Sequence, residues 1–251
     1  MSYNSQLRSA ILQFSRVTAS NERTAIGYLK SSNWNVEAAA NLYFSSNNGS
    51  RSRASSDKTE LESLFEQFRD SSDQPNTMTT EGAIRFMEEI GVELDEATVL
   101  VIAELLQAPV IGVFEKDKFV EGWSSINAMN LETIRSKIPI LRSNLDNDTD
   151  FKKVYKYTFN LALPPGQRSL PLEIAIYYWC LLLKDRFKDH IDDWISFLEN
   201  KDRNSITRDT WNCMYEFVQL AKNDPGLASY DVDGAWPSIL DDFVRHQRSK
   251  A

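Results

Sequence analysis

Apolar side chains along this 251-residue chain recur at intervals of three and four, and no stretch alternates with a period of two between turn residues. Leu61, Leu64, Phe65 and Phe68 keep that spacing, as do Ile191, Trp194, Ile195 and Leu198, and Trp211, Met214, Tyr215 and Val218. Each set lies on one stripe of a helix, and such a stripe must be buried against a neighbour. The expected fold class is therefore all-α, with three short helices before residue 57 and about ten after it. Ile174–Leu183 is apolar throughout and is expected to form a central helix covered on every side. Pro164-Pro165-Gly166-Gln167 breaks the chain sharply before it. That apolar run is half the length of a membrane span, which needs roughly twenty residues.

Charge is placed unevenly. Residues 1–57 carry six basic and three acidic side chains, which leaves 22 basic and 33 acidic for 58–251. An acidic main body argues against nucleic acid and anionic membrane as partners, since both select basic faces. Two cysteines make no disulfide framework, and Met1-Ser2-Tyr3-Asn4 lacks both the apolar run of a signal peptide and a glycine for myristoylation. The expectation is a soluble monomer of the cytoplasm and nucleus. The polar stretch from Ser45 to Asp57 has too little apolar surface to pack and reads as a tether spanning on the order of 20 Å. The expected organisation is a small domain at 1–45, a flexible linker at 46–57 and a larger domain at 58–251.

Tyr230-Asp231-Val232-Asp233-Gly234-Ala235-Trp236-Pro237-Ser238-Ile239-Leu240-Asp241-Asp242-Phe243 is acidic and aromatic together. Five aspartates fall between Asp224 and Asp242 with no lysine or arginine among them. Gly234 allows a turn, and Pro237 suits the first turn of a helix. Trp236, Ile239, Leu240 and Phe243 then repeat at helical spacing and should dock that helix, with Asp241 left in water beside Asp242. Such a surface can grip a basic partner but holds no nucleophile.

Chemistry-bearing residues are sparse elsewhere. Cys180 sits in an apolar run that should raise its pKa and hide it, Cys213 lies on a packed helix, and His190 and His246 are distant in sequence. A Cys/His nucleophile or a zinc site is disfavoured, and no metal or cofactor is expected. Two stretches have the length of a calcium loop. Asp70–Glu81 puts Pro75 where glycine belongs, and Glu199–Thr210 puts Lys201 and Arg203 at ligand positions, so both are expected to be structural.

Residues 7–45 resemble a ubiquitin-associated domain of the divergent UBA-like kind. The resemblance rests on Thr24-Ala25-Ile26-Gly27-Tyr28-Leu29, then Asn33-Trp34, then Ala38-Ala39-Ala40-Asn41-Leu42-Tyr43. It implies that the loop after the first helix, with Val17 and Thr18, and the third helix, with Leu42 and Tyr43, hold ubiquitin. Val17-Thr18-Ala19 replaces the Met-Gly-Phe or Met-Gly-Tyr of many members. Packing of Leu42, Tyr43 and Phe44 into a small core is the alternative.

The tail, together with Ser205-Ile206-Thr207-Arg208-Asp209-Thr210-Trp211-Asn212, resembles the potentiating-neddylation domain of the defective-in-cullin-neddylation family. Phe159-Asn160, Pro165-Gly166-Gln167, Leu172-Glu173-Ile174-Ala175-Ile176, Tyr178-Trp179 and Phe187-Lys188 extend the match, which covers nearly the whole chain. The resemblance implies two degenerate EF-hand-like units and a scaffold without catalysis of its own. Such a scaffold holds a cullin's winged-helix region and the conjugating enzyme charged with the ubiquitin-like modifier, with a ring-type ligase subunit arriving on the cullin. Asp209, Ala235 and Asp241 match the family's cullin-binding patch. Ala83, Val99, Leu100, Ile102, Leu106, Ile111, Gly112, Leu161, Tyr178 and Leu181 match a pocket for the acetylated first methionine of the conjugating enzyme. Animal members commonly carry a larger aliphatic at Ala83, glutamine at Ile111 and phenylalanine at Leu161. A ubiquitin-binding adaptor without neddylation activity and a calcium-binding protein are the alternative readings.

Overall fold

The computed structural model describes residues 5–201, 204–232 and 234–250, with side chains described outside 5–6 and 45–56. The described elements are helices and four strands of two or three residues, so the fold is all-α. Two compact units divide the chain, Met1–Glu60 and Leu61–Ala251.

In the small unit α1 spans Ser5–Thr18 and α2 spans Glu22–Ser31. Asn21 starts α2 by accepting the Thr24 amide on its side-chain oxygen at 2.9 Å, which satisfies an end donor of the helix. Asn35 does the same for Ala38 at the start of α3. Between them Asn33 and Trp34 take left-handed φ angles of 48° and 63°, turning the chain in two residues. Ile11, Phe14, Ala25, Leu29, Ala39 and Ala40 are buried, with Tyr28 and Tyr43 set edge-to-face beside them at 5.3 Å.

α3 is continuous over Val36–Phe68 rather than ending near Tyr43, and it runs through 46–57, where a flexible linker is expected. This span contains one glycine and no proline, so its polar composition imposes no helix stop. The side chains of 45–56, which would bear on the tether, lie outside the described residues.

The large unit begins with the end of α3, where Leu61, Phe65 and Phe68 are buried. Next come β1 (Thr77–Met78), α4 (Thr80–Glu89), α5 (Thr98–Leu105), β2 (Phe114–Glu115) and α6 (Lys116–Ser125). β1 and β2 pair antiparallel, Met78 opposite Phe114. α7 (Leu131–Ser143) leads through a short 3-10 turn at Asn144–Asp146 to α8 (Asp148–Ala162). A second set follows: β3 (Ser169–Pro171), α9 (Leu172–Leu183), α10 (Ile191–Glu199), β4 (Ser205–Thr207), α11 (Arg208–Asn223) and α12 (Ser238–Lys250). β3 pairs antiparallel with β4, Leu170 opposite Ile206. Each strand pair thus clamps two helix–strand–helix segments together.

The loop at 70–81 is closed by its own carboxylates. Asp73 accepts from the Asp70 and Thr79 amides and from the Thr79 hydroxyl, and Asp70 accepts from the Ser72 amide and hydroxyl. These hydrogen bonds hold both pKa values below the usual carboxylate range. In the second loop Asp202 and Arg203 lie outside the described residues.

At the centre of the large unit Tyr155 stacks on Trp211 at 4.7 Å, and Trp179 stacks on Trp211 at 5.4 Å. All three are fully buried, yet their polar atoms are matched. Trp179 Nε1 donates to Tyr155 OH at 2.9 Å, Tyr155 OH donates to the Trp211 carbonyl at 2.9 Å, and Trp211 Nε1 donates to the Tyr155 carbonyl at 3.0 Å. α8, α9 and α11 are thereby joined in one fixed arrangement.

The covering of α9 departs from expectation. Ala175, Tyr178, Trp179, Leu182 and Leu183 are buried, but Glu173, Tyr177 and Cys180 form an exposed stripe at i, i+4 and i+7. An apolar run cannot by itself distinguish a helix enclosed by others from one that also walls a cavity. Cys180 is therefore exposed, not hidden.

Tyr155→Phe keeps the ring but leaves the Trp179 indole without its acceptor and the Trp211 carbonyl without its donor. It is expected to cost about 1–3 kcal/mol, measured as a lower denaturant midpoint with an unchanged m-value.

Candidate functional site

Two surfaces of the large unit combine the matched residues. The first is built on α11 and α12. Thr207 caps α11 by accepting the Thr210 amide at 3.2 Å, which leaves Asp209 exposed in the first turn, where the helix dipole favours a carboxylate. Ala235 is exposed in the loop ahead of α12. Trp236 stacks on Tyr230 at 5.2 Å, while Ile239, Leu240 and Phe243 anchor α12 in the core. Asp233 lies outside the described residues.

The acidic tail is not uniformly open to a partner. Asp242 pairs with Lys201 and with Arg245, each at 3.2 Å. Asp224 accepts the Ser229 amide and hydroxyl. Asp241, expected in water beside Asp242, is instead half-buried and accepts the Tyr230 phenol at 2.8 Å. The phenol is available because Tyr230 closes the loop that carries Ala235 and Trp236 against α12. Burial, and then the Asp241 carboxylate, push its pKa well above the usual phenol value. Among the described residues no cation lies within ion-pair distance of Asp209 or Asp241. The thiol of Cys213 sits 4.0 Å from Asp209, one turn further along α11.

The second surface is an apolar cavity of about 180 Å³. α4 contributes Thr80, Ala83, Ile84 and Met87; α5 contributes Val99, Leu100 and Ala103; α9 contributes Tyr177, Tyr178 and Leu181. Leu94, Ile111, Gly112 and Phe114 complete it. Just ahead of Ile111 and Gly112 in the chain, the Ala108 carbonyl accepts the Tyr157 hydroxyl of α8 at 2.6 Å. Burial, with Glu104 adding to it, pushes that phenol up to about 12. Gly112 suits the rim because its φ is 74° and an added β-carbon would sit 3.1 Å from Thr80 Oγ1. Leu94, Ile111 and Tyr177 stay 48%, 45% and 54% exposed around the mouth, an apolar margin of the kind that marks interaction sites.

Three expected lining residues lie elsewhere. Ile102 of α5 and its C-cap residue Leu106 are fully buried and do not line the cavity. Leu161 lines a neighbouring open groove of about 490 Å³ that shares Ile111, Tyr177 and Tyr178 with the cavity. Reading α4 as a stripe at 80, 83, 84 and 87 would have found Thr80, Ile84 and Met87; Tyr177 carries no such signal. A larger groove of about 650 Å³ near Arg142 and Arg186 has a mixed lining, polar and apolar in equal parts, and those arginines are engaged by Glu96 and Asp148.

In the small unit, Val17 and Leu42 are exposed. Thr18 is buried, its hydroxyl donating to the Phe14 carbonyl at 2.8 Å, and Tyr43 packs edge-on against Phe14 at 5.7 Å. Thr18 and Tyr43 are thus committed to the fold, while Leu12, Val17, Leu42 and Phe44 are exposed.

With this geometry in view, similarity to known proteins defines the class. Residues 8–50 match the UBA-like domain family and residues 133–246 the cullin-binding family, a span containing Asp209, Ala235 and Asp241. Over 90% of its length the chain is 37% identical to defective in cullin neddylation protein 1 of Yarrowia lipolytica, covering 91% of that protein. It is 31% identical to the proteins of the same name from Pyricularia oryzae and Caenorhabditis elegans, over 95% and 97% of its length and 92% and 90% of theirs. The chain belongs to the defective in cullin neddylation family.

Gly112→Ala is expected to lower stability by about 1–2 kcal/mol, because a β-carbon is forced into left-handed backbone beside Thr80. Gly91→Ala, at a φ of 75° with nothing within 4 Å of the added carbon, isolates the backbone part of that cost in the same denaturation assay.

Proposed function

We propose that this protein acts in cullin neddylation as a scaffold-type co-ligase, holding a cullin at the acidic patch and the neddylation conjugating enzyme at the apolar cavity. The observation that carries this reading is the pairing pattern of the tail. Lys201 and Arg245 engage Asp242, whereas among the described residues no cation pairs with Asp209 or Asp241, which leaves both able to accept a basic partner. Charge complementarity of this kind sets orientation and encounter rate more than raw affinity. The exposed Ala235 lets a partner's backbone come close.

The cavity complements this. Its lining is almost wholly apolar, so it suits a terminal methionine whose ammonium has been removed by acetylation, since an unpaired buried charge is expensive. Rate gain would come from proximity and orientation, which in the best intramolecular cases reach about 7–11 kcal/mol. Two features support a non-catalytic role. Cys180 is exposed on its helix, but partial desolvation of its thiol raises the pKa, with Asp192 adding to it, and desolvation raises that of half-buried Cys213, with Asp209 adding to it. A shift in that direction favours the protonated thiol, the weaker nucleophile, at neutral pH. For the small unit, the exposure of Val17 at the end of α1 and of Leu42 on α3 supports ubiquitin docking.

Asp241→Lys is expected to weaken binding of a cullin C-terminal fragment at least about tenfold, with the cavity unchanged and the denaturation midpoint lowered by the loss of the Tyr230 hydrogen bond. Equal affinity for both forms in a calorimetric titration sinks the docking assignment. At the cavity, an acetylated N-terminal peptide of the conjugating enzyme should bind at least about tenfold tighter than its unacetylated form. Ala83→Leu, which fills part of the space, should weaken the acetylated peptide.

A further inference from the structure

Resting on the cullin-docking reading above, we propose that Tyr230 is a positioning residue of the acidic patch, a buried phenol that fixes the Asp241 carboxylate in its docking orientation without touching the partner. Tyr230 is 3% exposed, so it offers no contact surface of its own. Its hydroxyl donates to Asp241 Oδ1 at 2.8 Å, which restrains the carboxylate and leaves Oδ2 as the acceptor for an incoming ammonium or guanidinium. Its ring stacks on Trp236 at 5.2 Å and meets Phe217 edge-on at 5.6 Å, so it cannot follow the carboxylate if that group swings away.

The backbone is fixed as well. Arg248 donates to the carbonyls of Leu227 and Tyr230 at 2.9 and 3.2 Å, tying the loop to the far end of α12. One side chain thus bears on two docking positions, reaching Asp241 through its hydroxyl and the segment of Ala235 through the stack on Trp236. A carboxylate held in place before the encounter forfeits less freedom on binding than one that must be captured from several rotamers. The bland alternative is a core tyrosine that uses a nearby carboxylate merely to satisfy its hydroxyl. The two differ in what happens when Asp241 is already gone.

The test is a calorimetric titration of the cullin C-terminal fragment into the full chain as wild type, Tyr230→Phe, Asp241→Ala and the double variant. Tyr230→Phe retains both ring contacts, and its folding is checked by the denaturation midpoint and by undiminished binding of the acetylated peptide at the cavity. The expected result is a loss of about fivefold to tenfold for Tyr230→Phe, and no further loss when it is added to Asp241→Ala. Wild-type affinity for Tyr230→Phe, or a loss of equal size in the Asp241→Ala background, overturns the proposal. If Asp241→Ala itself binds like the wild type, the docking reading falls and the positioning role with it. Should Tyr230→Phe prove too unstable to titrate, Trp236→Phe, which loosens the stack from the other side, must reproduce the loss for the proposal to stand.

Discussion

The large unit depends on the Tyr155–Trp179–Trp211 network. Three large aromatic side chains are removed from water there, and each of their polar atoms finds a partner at 2.9–3.0 Å. Apolar burial supplies the driving force but has no preferred direction. The hydrogen bonds supply one, because each demands that a particular helix lie at a particular height against its neighbour. Trp194 continues the cluster, edge-on to Trp179 at 5.6 Å and to Phe243 of α12 at 5.1 Å. By contrast the Trp194 indole nitrogen finds no partner in the structure. Its position is therefore set by packing, and it carries the order of the core outward to the helix that bears Asp241.

Both candidate surfaces grow from that core. Tyr178 of α9 faces the cavity, and the next residue, Trp179, faces the network. On the other side Trp211 lies two residues after Asp209 on α11. The acidic patch is further organised by what it does not leave open. Asp242 and Asp224 are engaged within the molecule, whereas among the described residues Asp209 and Asp241 form no ion pair. Exposed ion pairs such as Lys201–Asp242 contribute little stability. Their larger effect here is to decide which charges remain for others.

Much of this was legible in the sequence, and the gaps have physical causes. Helical spacing located Leu61, Phe65, Trp194, Trp211, Leu240 and Phe243 in the core, because a stripe at 3.6 residues per turn has few other uses. Spacing could not separate Val99 and Ala103, which face the cavity, from Ile102 and Leu106, which face the core, since all four are apolar on one short helix. It could not show that Ile174–Leu183 leaves Tyr177 and Cys180 exposed, because whether a helix is fully covered depends on distant elements. The link from Tyr230 to Asp241 joins residues eleven apart across a loop, and no local pattern announces it. Nor did the polar composition of 46–57 disclose the continuous α3.

The adjacency of Tyr178 and Trp179 has a mechanical corollary. Neighbouring residues on a helix point about 100° apart, so cavity wall and aromatic cluster are locked at that angle by the backbone between them. A body built this way behaves as a set square and not as a hinge. Anything seated in the cavity and anything seated on the acidic patch is presented at one angle, and whatever play an assembly around it requires must be supplied by slack in the visitors.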